Sequence, residues 1–292
     1  IMKKIISAVL VVILITIIPM SAFANENEPN SQTFIVSEEE IIEKLKNTSD
    51  EELQKMGYTN KEIEEIQTFN YFEALSERAK LSDEILALYN YSPEEICELR
   101  NYVASGGKAR GKINSNSLTI TLKFSNITNG KQATGTVSWK WNKTTLIQYI
   151  DCVAVAWKTT SGATINYSKV DGNNVAVTLT KINPNVAGAA TTTAKVEWNV
   201  NDNQSIYARV PIGTYGYFAY TGTGKFIMKA TSGTFNEFYI DCAYAHYRIS
   251  VSPNISISPS GVGVSVSFKG GLNDDMHLKR VYNSSFNIVE DY

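Results

Sequence analysis

The spacing of apolar residues divides the chain into two parts that run on different periods. Between residues 37 and 104, apolar positions recur three apart: Leu53 and Met56, Ile63 and Ile66, Leu86 and Tyr89, Ile96 and Leu99. Residues at that spacing share one helix face, so each pair marks the buried side of a short amphipathic helix. From Ser117 onward the period falls to two. Leu118, Ile120, Leu122 and Phe124 alternate with Thr119, Thr121, Lys123 and Ser125. Val175, Val177 and Leu179 alternate with Ala176, Thr178 and Thr180, and Val196, Trp198 and Val200 with Glu197 and Asn199. Asn129-Gly130, Ser161-Gly162, Asp171-Gly172 and Ser260-Gly261 supply turns between such runs. Many short alternating strands predict a sandwich in preference to a barrel. The expected fold class is therefore α+β with segregated parts, a small N-terminal helical bundle followed by an all-β antiparallel sandwich.

Helix punctuation sharpens the first part. Ser49-Asp-Glu-Glu-Leu returns as Ser82-Asp-Glu-Ile-Leu, 33 positions later, and Tyr58-Thr-Asn-Lys-Glu-Ile returns as Tyr91-Ser-Pro-Glu-Glu-Ile at the same offset. Ser49 and Ser82 have the chemistry of N-caps, and Thr59 with Glu62 and Ser92 with Glu95 have capping-box spacing. Pro93 suits a first helical position, where its missing N–H costs nothing. Residues 37–105 are thus expected to be a duplicated helix–turn–helix unit preceded by a helix starting at Ser37.

The second part carries a repeat of its own. Tyr149-Ile-Asp-Cys recurs as Tyr239-Ile-Asp-Cys, 90 positions on. We expect two related three-strand units, packed face to face or as neighbours in one sheet, with one copy on a central strand of each. Alternation puts Cys152, Ala154 and Ala156 on one face and Asp151, Val153, Val155 and Trp157 on the other. Asp151 and Asp241 then require partners within largely apolar strands.

The extreme N-terminus reads as a leader. Lys3 and Lys4 precede an apolar run from Ile5 to Ile18, and Ala22-Phe-Ala24 has small-x-small cleavage character. That run is short of the 20 or so residues a membrane helix needs. The expected organisation is a signal peptide at 1–24, a flexible segment at 25–36, the acidic helical domain at 37–105, a basic Gly/Lys linker at 106–112, the sandwich at 113–283 and a tail at 284–292. A secreted, extracellular location follows, with export of the Gram-positive kind.

Charge adds a contrast that the whole-chain value of −2 conceals. Residues 25–105 hold 7 Lys and Arg against 19 Asp and Glu, a net of −12, while residues 106–292 hold 18 against 10, a net of +8. Opposite halves point to separate roles or to contact between them.

Candidate chemistry is sparse. There are two histidines, His246 and His277, and three cysteines. The sequence has no P-loop, GxGxxG, CxxC or HExxH, so no catalytic residue, cofactor site or metal site is assigned and the chain is read as non-enzymatic. Cys152 and Cys242 are disulfide candidates, as equivalent positions of two related units in an exported chain; as buried thiols they serve equally well as small hydrophobes. Lys108, Arg110 and Lys112 form a candidate processing site. Trp139, Trp141, Tyr215, Tyr217 and Tyr220 are candidates for a sugar-stacking face, although aromatics also dominate cores.

Two functions remain. The first is a secreted interaction protein whose basic β domain binds an anionic cell-wall polymer, glycan or membrane surface. No nucleic-acid partner is expected. The second is a latent membrane-active precursor, pore-forming or antibacterial, masked by its acidic helical segment. Its candidate element is 248–270, where Ser alternates with Val or Ile on both sides of a Pro-Ser-Gly turn.

Overall fold

The computed structural model describes residues 30–108, 115–128, 130–146, 150–160, 163–169, 174–183, 188–211, 213–214, 217–234, 237–246, 253–257, 264–268, 276–283, 285 and 287–291. Across these the chain is mostly antiparallel β sheet with six helices. The strands are β1 (Ser31–Ser37), β2 (Ser115–Thr128), β3 (Gln132–Trp141), β4 (Ile150–Thr159), β5 (Thr164–Tyr167), β6 (Asn174–Asn183), β7 (Gly188–Glu197), β8 (Asn199–Asp202), β9 (Ser205–Pro211), β10 (Gly213–Thr214), β11 (Tyr217–Ser232), β12 (Glu237–Ala245), β13 (Pro253–Ile257), β14 (Val264–Phe268), β15 (Met276–Asn283) and β16 (Ile288–Asp291). Sheet A runs β1-β2-β3-β11-β6-β7, with β5 and β10 also on β11; sheet B runs β16-β15-β12-β4-β9-β8. β13 and β14 pair with each other as a separate two-stranded sheet.

One apolar core lies between the sheets. Sheet A contributes Leu118, Ile120, Leu122, Val137, Trp139, Trp141, Val175 and Phe226; sheet B contributes Val153, Val155, Trp157, Ile206, Ile240 and Leu278. The alternation seen in the sequence is the alternation of core and solvent faces. Three glycines of sheet A make room for rings. A Cβ would stand 2.2 Å from Phe226 at Gly135, 2.1 Å from Trp139 at Gly222 and 2.4 Å from Trp198 at Gly224. The glycines between aromatics are thus beds for large side chains crossing the sheet.

The helices are α1 (Glu38–Lys46), α2 (Asp50–Lys55), α3 (Asn60–Thr68), α4 (Tyr71–Ala79), α5 (Asp83–Leu88) and α6 (Pro93–Ala104). Ser37, Ser49, Thr59, Asn70, Ser82 and Ser92 cap them through their side chains, with full capping boxes at Thr59 and Ser92. The caps Ser37, Ser49 and Thr59 stand 33 positions before Asn70, Ser82 and Ser92. α4 is the helix that the sequence reading did not single out. Its cap, Asn70, has Glu73 at capping-box spacing but none of the repeated letters.

The helices are not set apart from the sandwich. Their two apolar clusters, around Leu53 and Ile66 and around Leu75 and Leu99, both reach Leu146 in the β3–β4 connection. Ile85 packs with Ile182 of β6 and Phe218 of β11. A bulge between Ala219 and Thr221 shifts the β11 register next to this contact. Polar contacts fix the same junction. Arg78 donates to the carbonyls of Thr144 and Thr145 at 2.8 and 3.3 Å, and Lys143 pairs with Glu95 at 3.0 Å. The Asn90 amide also donates to the Asn142 carbonyl.

Two boundaries change. Ser31–Ser37, expected within a flexible segment at 25–36, is an edge strand paired antiparallel with β2. The expected tail at 284–292 contains β16, which pairs with β15. Both are single short edge strands, whose few residues carry too little alternation to read from sequence.

The repeated Ile-Asp-Cys triplets lie on neighbouring central strands of one sheet. β4 and β12 are antiparallel neighbours in sheet B, with Cys152 opposite Ala245 and Val155 opposite Cys242. The two cysteines are thus offset by three positions along the ladder, an odd number, so they point to opposite faces. Their continuations differ too: β4 leads to β5 in sheet A, whereas β12 leads to the β13–β14 hairpin. The copies do not head equivalent three-strand units.

Candidate functional sites

The outer face of sheet A is hydroxyl-rich and cationic. Register places Thr33, Thr119, Lys140, Thr221, Thr178 and Thr193 in one row across the sheet. The next row holds Ser31, Thr121, Ser138, Thr223, Ala176 and Lys195. A third holds Lys123, Thr136 and Lys225, and Lys229 stands opposite Gln132. Lys123, Lys140, Lys195, Lys225 and Lys229 are all exposed. Among the described residues of this face the one acid is Glu197, at the β7 corner, where it lies 3.6 Å from Lys169.

Sheet B carries two aspartate–histidine pairs, one on each side. On the inner side, at the sandwich end covered by helices, His246 Nδ1 lies 2.7 Å from Asp151 Oδ1. The Tyr244 hydroxyl donates to Asp151 Oδ2 at 2.5 Å, and Trp141 Nε1 donates to that hydroxyl at 3.3 Å. His246 Nε2 lies 3.8 Å from Glu38 at the start of α1, and Glu38 accepts the Leu146 N–H at 3.0 Å. Asp151 is fully buried and the His246 side chain is 1% exposed. Burial alone lowers the His246 pKa, but the charge and hydrogen bond of Asp151, helped by Glu38, overcome it and hold the pKa at about 9. Burial first, and then Asp151, push the Tyr244 phenol well above its ordinary range. Hydrogen bonds join Trp141, Tyr244, Asp151 and His246, and the ion pair of His246 with Glu38 extends the cluster to α1 and, through the Leu146 N–H, to the β3–β4 connection.

The outer pair is Asp241 of β12 with His277 of β15, 3.0 Å apart. Asp241 is fully buried, because β14 covers it: its Oδ2 accepts the Val266 N–H at 2.7 Å. Lys279 Nζ donates to Ser265 Oγ at 3.3 Å beside it. Val264, Val266 and Phe268 of the hairpin pack on Cys152, Ala154, Ala156, Ala243 and Ala245 of sheet B. Ser265 and Ser267 alternate with them and are more exposed.

Several sequence-based candidates fall elsewhere. Cys152 and Cys242 are both free thiols. Cys152 lies under the hairpin and Cys242 in the inter-sheet core, so no bridge joins them. Burial, and next the Asp241 charge, push the Cys242 thiol up and keep it unreactive. Trp139 and Trp141 are 2% and 1% exposed, so they are core residues and form no stacking face. Tyr220 is partly buried and donates to the Leu88 carbonyl at 2.9 Å, which docks β11 on α5. Tyr215 and the side chain of Tyr217 lie outside the described residues. Lys108 is exposed, just after the positive-φ Gly106 and Gly107 that end α6; Arg110 and Lys112 lie outside the described residues. Sequence reasoning missed the Lys/Thr face as a unit, because its rows gather residues from six strands in an order the sequence does not display.

No family model matches the chain, and no curated protein matches it. Among solved structures, a collagen-binding domain from a Staphylococcus aureus adhesin is 12% identical over 45% of this chain and 88% of that one, with a TM-score of 0.27. A pore-forming protein is 10% identical over 61% and 84%, with a TM-score of 0.25. AvmM, which catalyzes macrocyclization in alchivemycin A biosynthesis, is 8% identical over 55% and 87%, with a TM-score of 0.22. Likenesses this slight carry no argument about fold or function.

Proposed function

We propose that the chain is an exported, non-enzymatic interaction protein that binds an anionic cell-envelope polymer or glycan through the outer face of sheet A. The observation that supports this is the array of five exposed lysines set among hydroxyls, with one acid at its corner. A sheet fixes the spacing of such groups: neighbouring strands lie about 4.8 Å apart and alternate residues along a strand about 6.7 Å. By these spacings Lys123 and Lys225, two strands apart in one row, stand about 10 Å apart, and Lys225 and Lys195 about 12 Å; these separations are a little more than the Debye length at physiological salt, roughly 8 Å, so their potentials are screened but still overlap. A polyanion laid across the rows meets several ammonium groups at once, and the Thr and Ser hydroxyls offer hydrogen bonds between them. The core side chains play no part, so the surface is ready without rearrangement.

The test is binding of the full chain to immobilised poly(glycerol phosphate) as salt is raised. The expected result is retention at low salt, and a loss of about tenfold or more in affinity when Lys123, Lys140, Lys195 and Lys225 are each replaced by Glu. Lys61→Glu, on exposed α3, is the control for total charge. A quadruple variant that binds like the wild type, or a Lys61 variant that loses as much, overturns the assignment.

A further inference from the structure

The β13–β14 hairpin lies on the opposite side of the sandwich from the lysine face, and its attachment is unlike that of any other strand pair. Its two strands complete their ladder with each other and join neither large sheet. It rests on the short side chains of Cys152, Ala154, Ala156, Ala243 and Ala245, with Tyr207 and Tyr239 packed against the same cluster. Its polar contacts with sheet B include the Val266 N–H to Asp241 and Lys279 to Ser265. Lifting it off breaks no ladder of sheet A or sheet B.

We propose that this hairpin detaches from sheet B and inserts into lipid bilayers, where the hairpins of several copies of the chain close a β-barrel. The chemistry of the segment suits that environment. From Ile249 to Phe268 there are 20 residues without an Asp, Glu, Lys or Arg, bounded by Arg248 and Lys269. A membrane-crossing strand needs about 9–11 residues, so the stretch accommodates two strands and a short turn. The cations at its two ends remain at one interface. Val264, Val266 and Phe268 alternate with Ser265 and Ser267, which is the pattern of a barrel wall with lipid outside and water inside. In the resting fold the alanine bed hides the same apolar face.

Assembly follows from backbone hydrogen bonding. A lone two-stranded ribbon in lipid leaves both edges with unpaired N–H and C=O groups, which hydrocarbon does not tolerate. Closure removes the edges, and one hairpin per copy gives an even number of strands. Pro253 lacks an N–H and leaves one position of the extended strand without a donor. Asp241 has a defined part in this scheme. Its carboxylate holds a backbone N–H of the hairpin in the resting fold, and the bilayer-bound hairpin exchanges that bond for one to the next strand.

The experiment uses the full chain with vesicles of phosphatidylglycerol and phosphatidylcholine carrying entrapped dye, and planar bilayers of the same lipids. The expected result is dye release with discrete conductance steps, and release several-fold faster for Asp241→Ala. Ser267 is exposed in the resting fold and alternates with the lipid-facing residues, so Ser267→Glu and Ser267→Lys, each first shown to keep the wild-type circular dichroism spectrum and melting temperature, place opposite charges in the lumen. Under a salt gradient they should shift the reversal potential in opposite directions, a readout that a merely structural residue does not move. The proposal is overturned if neither wild type nor Asp241→Ala releases dye, or if both Ser267 variants conduct with one reversal potential. A chain that binds poly(glycerol phosphate) yet releases no dye keeps the lysine-face reading and loses this one.

Discussion

Asp151 with His246 on the inner side of sheet B, and Asp241 with His277 on its outer side, use the same residue types on neighbouring strands. Their surroundings separate them. The inner histidine is 1% exposed, and its aspartate also receives the Tyr244 hydroxyl; the outer histidine is 24% exposed, and its aspartate also receives a backbone N–H from the hairpin. The inner pair joins parts of the fold that share large apolar clusters, so opening it means opening the core. The outer pair joins sheet B to an element whose cluster with it, of Cys152, alanines, valines and Phe268 with Tyr207 and Tyr239, lies apart from the inter-sheet core. A buried carboxylate acts as a permanent staple or as a releasable catch according to how much apolar surface is tied to the same contact.

The largest effect should come from the inner pair. Asp151→Ala strips a buried histidine and a buried phenol of their shared acceptor, and should cost about 3–5 kcal/mol in denaturant unfolding. Asp241→Ala leaves the Val266 N–H without its acceptor, but next to a hairpin that can open. It should cost about 1–3 kcal/mol at most, with the unfolding midpoint of the core little moved. If the two substitutions prove equally costly, the contrast between staple and catch fails.

Acidity sharpens the same contrast. His246 has a folded pKa of about 9, above the 6.5 of the unstructured side chain. Its charged form therefore contributes stability that is fully present below pH 6.5 and is lost as pH rises through about 9. The melting temperature should fall across that window. Asp151→Asn, which removes the stabilising charge, should flatten the fall; a wild type with constant stability between pH 6.5 and 9.5 contradicts this account of the inner cluster.

The smallest effect concerns the thiols. Cys152 and Cys242 face opposite sides of one sheet, so mild oxidation should give no intramolecular bridge and, with the exposed Cys97 replaced by Ser, no change in mobility on a non-reducing gel. A Cys152–Cys242 cross-link from the folded protein would mean that the β4–β12 register is wrong.

How far the sequence anticipates this structure depends on the range of the signal. Helix caps are local chemistry, and Ser49, Thr59, Ser82 and Ser92 sit where their side chains and acidic neighbours indicate. Alternation is nearly as local, and the strands around Leu118–Phe124 and Val175–Leu179 follow it. The pairing of β4 with β12 is not local. The shared tetrapeptide suggested equivalent places, but equivalence of letters says nothing about register, and a slip of three turned one cysteine into the core and the other outward. Trp139 and Trp141 show the same limit. They alternate with half-buried Ser138 and exposed Lys140 as a surface or a core strand would, and only the pairing with β11, distant in sequence, where Gly222 makes room for the Trp139 ring, separates the two. Both aspartate–histidine pairs join residues tens of positions apart, so neither left a local motif.

Amide hydrogen exchange tests the staple-and-catch account most directly, with the ladder amides of β13 and β14 compared against those of β4 and β12. The account predicts that the hairpin exchanges through local opening far faster than the central strands, and that Asp241→Ala accelerates the hairpin alone. Exchange of the hairpin only with global unfolding, at the pace of β4, would contradict it.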